Sequence, residues 1–173
     1  LPYEPLAIVT EQAIEAEIAK GSEGLLNRVF QLIVSELEQA DPQWSARIGL
    51  NKLNADTLAD AWFADRKKHD PFYWAQDNLE EVERNKREKH TVPWRYTVLR
   101  LHEVIEEIVP HLNEEDRKRF KKGLARVFID NYAAIPSESI RRLLALREAG
   151  LIHIRALGND YKMQVNDGLT TIT

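Results

Sequence analysis

The sequence predicts a mainly α protein: a multi-helix, bundle-like domain followed by a short C-terminal antiparallel β-meander, α+β overall. Apolar residues recur at three- and four-residue spacing through most of residues 1–150, which is the stripe that helices bury. Only seven Gly and seven Pro occur in 173 residues, too few for a turn-rich all-β fold. From residue 151 the apolar period changes to two. We therefore expect a helical domain over 1–150 and a meander over 151–173.

The first two helices have recognisable boundaries. Thr10 can cap a helix that continues through Lys20, and Gly21 suits the left-handed position that ends it. Ser22 can cap the next helix, predicted over 23–40. Its expected buried stripe consists of Leu25, Leu26, Val29, Phe30, Ile33 and Leu37.

Two Asp-Pro pairs mark further helix starts, because aspartate caps a helix and proline suits its first turn. They are Asp41-Pro42 and Asp70-Pro71. Between them, Asn54 or Asp56 opens a segment with one apolar face, formed by Leu58, Ala61 and Trp62.

The clearest helix begins at Thr91 and Pro93, and Pro110 should end it near Val109. Its buried seam consists of Trp94, Val98, Leu101, Ile105, Ile108 and Leu112. Asn113 then forms a capping-box pattern for a helix with inward-facing Phe120, Leu124, Val127 and Phe128. Ser137 is expected to cap a last helix, which ends at Gly150.

The tail predicts three strands, at Ile152–Arg155, Tyr161–Val165 and Leu169–Thr173. Gly158-Asn159-Asp160 and Asn166-Asp167-Gly168 supply the turns. So small a sheet is marginal by itself, so we expect it to join a larger sheet. The chain begins without Met and stops inside the last predicted strand, and we therefore expect a fragment of a longer protein.

Composition excludes several functions. The absence of Cys excludes disulfides, thiolate catalysis and iron–sulfur clusters, and it suits a reducing compartment. Neither nucleotide-binding glycine motif occurs, and no apolar run reaches the roughly 20 residues of a membrane span. We expect a cytoplasmic protein with no membrane partner and no catalytic residue of its own. His102 and Glu106 lack the second histidine of a zinc motif, so no metal site is expected.

One segment mixes cations with aromatic rings, as nucleic-acid sites do. It runs from Arg84 to His90 and continues with Trp94, Arg95, Tyr96 and Arg100. Glu80 and Glu83 precede Arg84 and Arg87 by four residues, which instead favours a solvated, ion-paired helix face. The net charge of -4 also opposes a nucleic-acid partner. An anion-binding or nucleic-acid-binding module remains an alternative function.

Four polar residues beside the apolar seams are the candidate cofactor-binding residues: Arg95, Arg100, Asp130 and Asn131. Polar groups in such positions must find partners, which are structural groups or a ligand. The four tryptophans are expected to pack in the core.

Three stretches of sequence are distinctive: Phe63–Arg66 with Asp70–Phe72, the segment HTVPWRYTVLRLHEVIEEIVPHL from His90, and RVFIDNYAAIPSESIRRLLALREAGLIHIRALG from Arg126. They resemble the central helical region of the bacterial FAD-NAD(P)-binding protein family. The resemblance extends over nearly the whole chain.

The resemblance implies a parent oxidoreductase with a Rossmann-type domain whose glycine-rich loop lies upstream of Leu1. FAD and NAD(P) would bind to the flanking parts, and this fragment itself would bind neither. The expected partners are then the remainder of the parent chain and a small-molecule substrate. The main alternative is a protein-interaction or scaffold module.

Overall fold

The computed structural model describes residues 5–132, 134–157 and 160–173, and within them it contains nine α-helices and one β-hairpin. The helices are α1 Glu11–Ala19, α2 Leu25–Ala40, α3 Pro42–Ile48, α4 Leu58–Phe63, α5 Pro71–Glu88, α6 Pro93–Ile108, α7 Glu114–Lys122, α8 Leu124–Tyr132 and α9 Ser137–Glu148. Short 3-10 turns lie at Leu50–Lys52, Arg66–Lys68 and Val109–His111. The hairpin consists of β1 Met163–Asn166 and β2 Leu169–Ile172. The mainly helical fold class is thus confirmed.

Helix α2 lies at the centre of the bundle and packs against α1, α3, α6 and α7. Its predicted stripe is confirmed, since the buried apolar residues are Leu25, Leu26, Val29, Phe30, Ile33, Val34 and Leu37. Helix α6 packs against α2 and α8 through the predicted seam, of which Val98, Leu101, Ile105 and Ile108 are buried. The two amphipathic patterns therefore build one shared core.

Four predicted helix starts are confirmed by their capping bonds. The side chains of Thr10, Asp41, Asp70 and Asn113 accept hydrogen bonds from the backbone N–H groups of Ala13, Trp44, Phe72 and Asp116. Helix α6 ends at Ile108, two residues before Pro110, as the missing N–H and the ring of proline require.

Two predicted caps are wrong. Helix α2 begins after Gly24, which has the left-handed φ of +64°, and the Ser22 carbonyl accepts a turn bond from the N–H of Leu25 at 3.3 Å. Pro136 takes the N-cap position of α9 with extended backbone. Ser137 is therefore the first residue inside that helix rather than its cap.

The helix predicted after Asn113 is interrupted at Gly123, which separates α7 from α8. The position of Gly123 is sterically tight: an added Cβ would lie 2.9 Å from the carbonyl oxygen of Ala55. The corner between the two helices therefore packs directly on the 55–56 loop.

The predicted three-stranded meander is wrong in one strand, because residues 151–157 form no strand and, among the described residues, β1 pairs only with β2. Alternating side chains make a strand only where a neighbour supplies backbone hydrogen bonds. The second predicted turn is confirmed, with Asp167 and Gly168 at φ values of 51° and 78°, as two-residue hairpin loops require. Gly158 and Asn159 of the first predicted turn lie outside the described residues.

Glu36 is buried in α2, with 5% of its surface exposed. Its carboxylate oxygens accept backbone N–H bonds from Ala7, Ile8 and Val9 at 2.9, 2.7 and 2.8 Å. This one side chain therefore fastens the segment before α1 to the centre of the bundle.

Helix α9 packs against α5 and buries no residue of its own. Arg141 forms an ion pair with Glu83, and the guanidinium of Arg147 lies 5.0 Å from the centre of the Phe72 ring. No helix in the described part of the chain is long and apolar enough to cross a membrane.

Candidate functional site

Asp130, near the end of α8, is the centre of a cluster with Arg66 and Trp62, which we call the Asp130 cluster. The guanidinium of Arg66 donates to both carboxylate oxygens, to Oδ2 at 2.6 Å. The indole Nε1–H of Trp62 donates to Oδ2 at 3.1 Å. A two-pronged arginine contact of this kind is both strong and directional, so the cluster fixes the 62–66 segment against α8.

The pKa of the Asp130 carboxyl lies below its ordinary value of 3.8. Burial raises this pKa, but the hydrogen bonds from Arg66 and Trp62 and the positive charges of Arg66 and Arg95 outweigh it. Asp130 therefore carries a negative charge at neutral pH.

Three of the four tryptophans form one aromatic cluster beside Asp130. Trp44 and Trp94 stack with ring centres 4.7 Å apart, and Trp62 meets both edge-on, 5.7 Å from Trp44 and 5.1 Å from Trp94. Trp44 is buried and the other two are half-buried. The expected core packing of these three is confirmed. Trp74 lies instead under Arg66, whose guanidinium is 4.9 Å from its ring centre.

Arg95 and Asn131 meet between α6 and α8. The Nδ2 of Asn131 donates to the backbone carbonyl of Arg95 at 3.2 Å, and the Arg95 guanidinium pairs with Glu81 of α5 at 2.9 Å. Together with Tyr96 and Leu99, they line a depression of about 160 Å³. Its size is below the usual range for a small-molecule pocket.

The fold brings three of the four predicted site residues, Arg95, Asp130 and Asn131, into one neighbourhood. Arg100 lies further along α6, and its guanidinium is 3.8 Å from Glu103. Protein groups contact all four side chains. Cofactor binding by these residues stays a prediction.

The basic segment Arg84–His90 occupies the end of α5 and the turn after it. Its cationic side chains are exposed, as a solvated face predicts, but the two expected ion pairs do not form. Glu83 binds Arg141 of α9, and Glu80 accepts from Gln76. The packing of α9 on α5 thus redirects Glu83 away from Arg87.

His102 stacks on Tyr132 with ring centres 4.7 Å apart, and its Nδ1 lies 3.6 Å from Glu106. Among the described residues, no group of three or more His, Asp or Glu side chains is placed to hold a metal ion.

No sequence pattern predicted the groove of about 500 Å³ between α4, α7 and α8, which we call the basic groove. It is lined by Asp56, Ala59, Asp60, Lys118, Arg119, Lys122, Gly123 and Arg126. Arg119 binds Asp56 at 2.9 and 2.6 Å and also Asp116 at 2.7 Å. These hydrogen bonds lower the pKa of Asp56 and raise that of Arg119. Asp56 and Arg119 are 63 residues apart, so no local pattern could reveal the groove.

Replacing Gly123 with alanine should destabilise the chain, because the new Cβ would press on the Ala55 carbonyl. We expect the free energy of unfolding to fall by about 1–2 kcal/mol, the cost of a modest overpacking. Urea denaturation followed by circular dichroism measures this change. Gly49→Ala, where no atom lies near the added Cβ, measures the left-handed backbone cost alone. A Gly123→Ala variant as stable as the unmodified chain would contradict the steric explanation.

The hairpin has one apolar face, which we call the apolar hairpin face: Tyr161, Met163, Val165 and Ile172. Met163 pairs with Ile172 and Val165 with Thr170, and paired residues project from the same side of a sheet. Gln164 and Thr171 pair on the opposite, more polar side. All described residues from 153 onward are exposed, Val165 to 65%.

Comparison with known proteins places the chain beside one family. Residues 10–132 match the family described as YdhS-like middle domain. Over 172 residues the chain is 73% identical to the Escherichia coli (strain K12) protein named "Uncharacterized protein YdhS". The match covers 99% of this chain and 32% of that protein, so the chain spans about a third of the length of this curated relative. No solved structure matches the chain.

Proposed function

Because the chain belongs to the YdhS-like middle domain family, we propose that it is a helical accessory domain of a longer FAD- and NAD(P)-binding oxidoreductase. The remainder of that polypeptide would carry the cofactor sites, and this domain would cover or shape the substrate side of the flavin. The resemblance of three long stretches, described above, motivates the choice of cofactors.

Length supports an accessory role. The matched relative is about three times as long as the region shared with this chain, which leaves room for more than one further domain of ordinary size. The family match ends at residue 132, whereas the similarity to the relative covers 99% of the chain. Residues beyond 132 are therefore candidates for the junction with a neighbouring domain.

The observation that carries the proposal is the position of the exposed apolar side chains. Most of the large ones lie at residue 129 or later, and those past the family match are Ile135, Leu146, Leu151, Ile154, Leu157, Tyr161, Met163, Val165, Leu169 and Ile172. Exposed apolar side chains that share one face, as on the apolar hairpin face, mark an interaction site. Their concentration in one terminal segment favours an occupant adjacent in the same polypeptide.

The apolar hairpin face is suited to such a junction. Burying one Met, Val or Ile side chain completely stabilises a protein by about 1.5–3 kcal/mol relative to leaving it exposed. Covering Met163, Val165 and Ile172 would therefore offset the entropy cost of ordering the hairpin. The outer edges of a two-stranded sheet also offer unpaired N–H and C=O groups. We propose that the occupant is a β-sheet of the flanking nucleotide-binding part.

Replacing Val165 with aspartate in the longer protein should release the hairpin from that sheet, because a carboxylate would then face an apolar contact. Hydrogen exchange measures this release: we expect the amides of 161–173 to exchange at least tenfold faster in the variant, a free-energy difference of about 1.4 kcal/mol. Gln164→Asp places the same charge on the opposite face and should leave their exchange rates unchanged. Exchange equally fast in the unmodified longer protein and in the isolated chain would contradict the docking.

The cofactor part of the proposal has a separate test. The near-ultraviolet and visible absorbance of the purified longer protein should show a flavin band that this chain alone lacks. A longer protein that stays colourless after incubation with excess FAD would refute the flavoprotein assignment while leaving the docking prediction intact.

The same exposed surface favours a second function, a protein-interaction module whose occupant is another protein. The two proposals differ in what covers the apolar hairpin face. An apolar hairpin face that remains open in the longer protein, and closes only when a separate protein is added, would support the interaction module.

A further inference from the structure

The basic groove differs in charge from the molecule that carries it. Four of its lining side chains are cationic and two are carboxylates, whereas the whole chain has a net charge of -4. The groove is therefore locally positive on a chain that is negative overall, and a local excess of cations attracts anions to that place. Its volume of about 500 Å³ is within the usual range for small-molecule sites.

Both carboxylates of the groove already have cationic partners. Asp56 accepts from Arg119, and Asp60 pairs with Lys67 at 3.2 Å. Lys118 pairs with Glu114 at 2.7 Å. No carboxylate of the described residues lies within ion-pair distance of Lys122 or Arg126. Lys122 lies near enough to Asp56 to help lower the pKa of that carboxyl, but neither Lys122 nor Arg126 has an ion-pair contact, so both can still pair with a ligand.

The groove is also partly preorganised. Arg119 is held by Asp56, Asp116 and Asn27, so its position costs little entropy when a ligand binds. The guanidinium of Arg126 lies over the ring of Phe63, 5.1 Å from its centre, and such stacking leaves the edge of the guanidinium available for hydrogen bonds.

The helix that borders the groove adds to the same field. The nine-residue α8 begins at Leu124, immediately after the groove residue Gly123. The first N–H groups of a helix and its dipole favour negative charge. Gly123 itself is buried against the 55–56 loop, so this end of α8 acts on the groove through its dipole rather than through an open row of N–H groups.

We propose that the basic groove binds a phosphate-bearing small molecule, with the phosphate held by Lys122 and Arg126 beside the start of α8. Phosphate fits because arginine can donate two parallel N–H bonds to its oxygens, while lysine contributes a mobile point charge. This binding site is independent of the docking proposed for residues beyond 132.

Nuclear magnetic resonance tests the site on this chain. Inorganic phosphate and inorganic pyrophosphate are titrated in, with sodium chloride adjusted to keep the ionic strength constant. We expect saturable shifts of the Gly123, Leu124 and Ala125 amides, with pyrophosphate binding more tightly. Lys122→Gln and Arg126→Gln should each weaken binding about tenfold, a loss of about 1.4 kcal/mol.

Lys121→Gln is the matched control, because it removes the same charge from the same helix at an exposed residue outside the groove lining. Binding to Lys121→Gln within a factor of two of the unmodified chain supports the site. Shifts that do not saturate, that spread over lysines across the surface, or that weaken equally in Lys121→Gln would overturn it.

Discussion

Replacing Glu36 with glutamine should lower the free energy of unfolding by about 3 kcal/mol, because buried hydrogen bonds to a charged acceptor are among the costliest to lose. The Glu36 carboxylate accepts three backbone N–H bonds. Glutamine replaces one acceptor oxygen with an NH₂ group, which can only donate and would face backbone donors. Urea denaturation followed by far-ultraviolet circular dichroism measures the loss.

Glu38→Gln is the control for this change, since it alters the same functional group in the same helix at a half-buried position. It should shift stability by no more than about 0.5 kcal/mol, as substitutions away from such networks do. If the free energy of unfolding fell equally in Glu36→Gln and Glu38→Gln, the bonds from Glu36 to the N-terminal segment would contribute nothing to stability. In that case, hydrogen exchange of the Ala7–Val9 amides would also be unaffected by Glu36→Gln.

Replacing Asp130 with asparagine should lower the free energy of unfolding by about 2 kcal/mol at neutral pH, because the charge-assisted bonds to Arg66 weaken and one acceptor becomes a donor. This expected loss is smaller than the loss for a fully buried ion pair, because the side chains of Arg66 and Asp130 are both partly exposed. Circular dichroism during urea denaturation measures it, with exposed Asp77→Asn as the control.

The effect of Asp130→Asn depends on pH. The pKa of Asp130 is lower in the folded chain than its ordinary value, so its stabilising contribution is fully present above an unfolded pKa of about 3.9. That contribution is lost as the pH falls through the folded pKa. The stability difference between the unmodified chain and Asp130→Asn should therefore narrow below about pH 4. A difference that stays constant to lower pH would show that the carboxylate charge is not what stabilises the cluster.

Local patterns predicted most helices because their signals are contained in a few neighbouring residues. The cap at Asp41 and the spacing of Phe30, Ile33 and Leu37 each involve one or two turns of chain. The same local reasoning was wrong at Ile152–Arg155, where an alternating sequence has no neighbouring strand to pair with. A strand depends on a partner, whereas a helix supplies its own hydrogen bonds.

The polar centres of the molecule could not be predicted in this way. Glu36 bonds to residues 27 to 29 positions earlier, and Asp130 binds side chains 64 and 68 positions earlier. Asp130 lies beside an apolar seam, which predicts that it has a polar partner, but nothing local indicates that this partner is Arg66. Tertiary packing brings these partners together: α2 against the segment before α1 at Glu36, and α8 against the 62–66 segment at Asp130.

The tryptophan cluster has a consequence for spectroscopy. All four tryptophans precede residue 95, and Trp44, Trp62 and Trp94 lie within 6 Å of one another by ring centres. Fluorescence emission will therefore report on the junction of α3, α4 and α6 and, through Trp74, on α5, while the hairpin from residue 161 contributes no indole signal. The closely stacked pair should also give exciton-coupled bands in the circular dichroism of the native bundle. Tryptophan fluorescence can thus monitor the unfolding of the helical bundle, while hydrogen exchange or an attached label monitors the hairpin in the same protein.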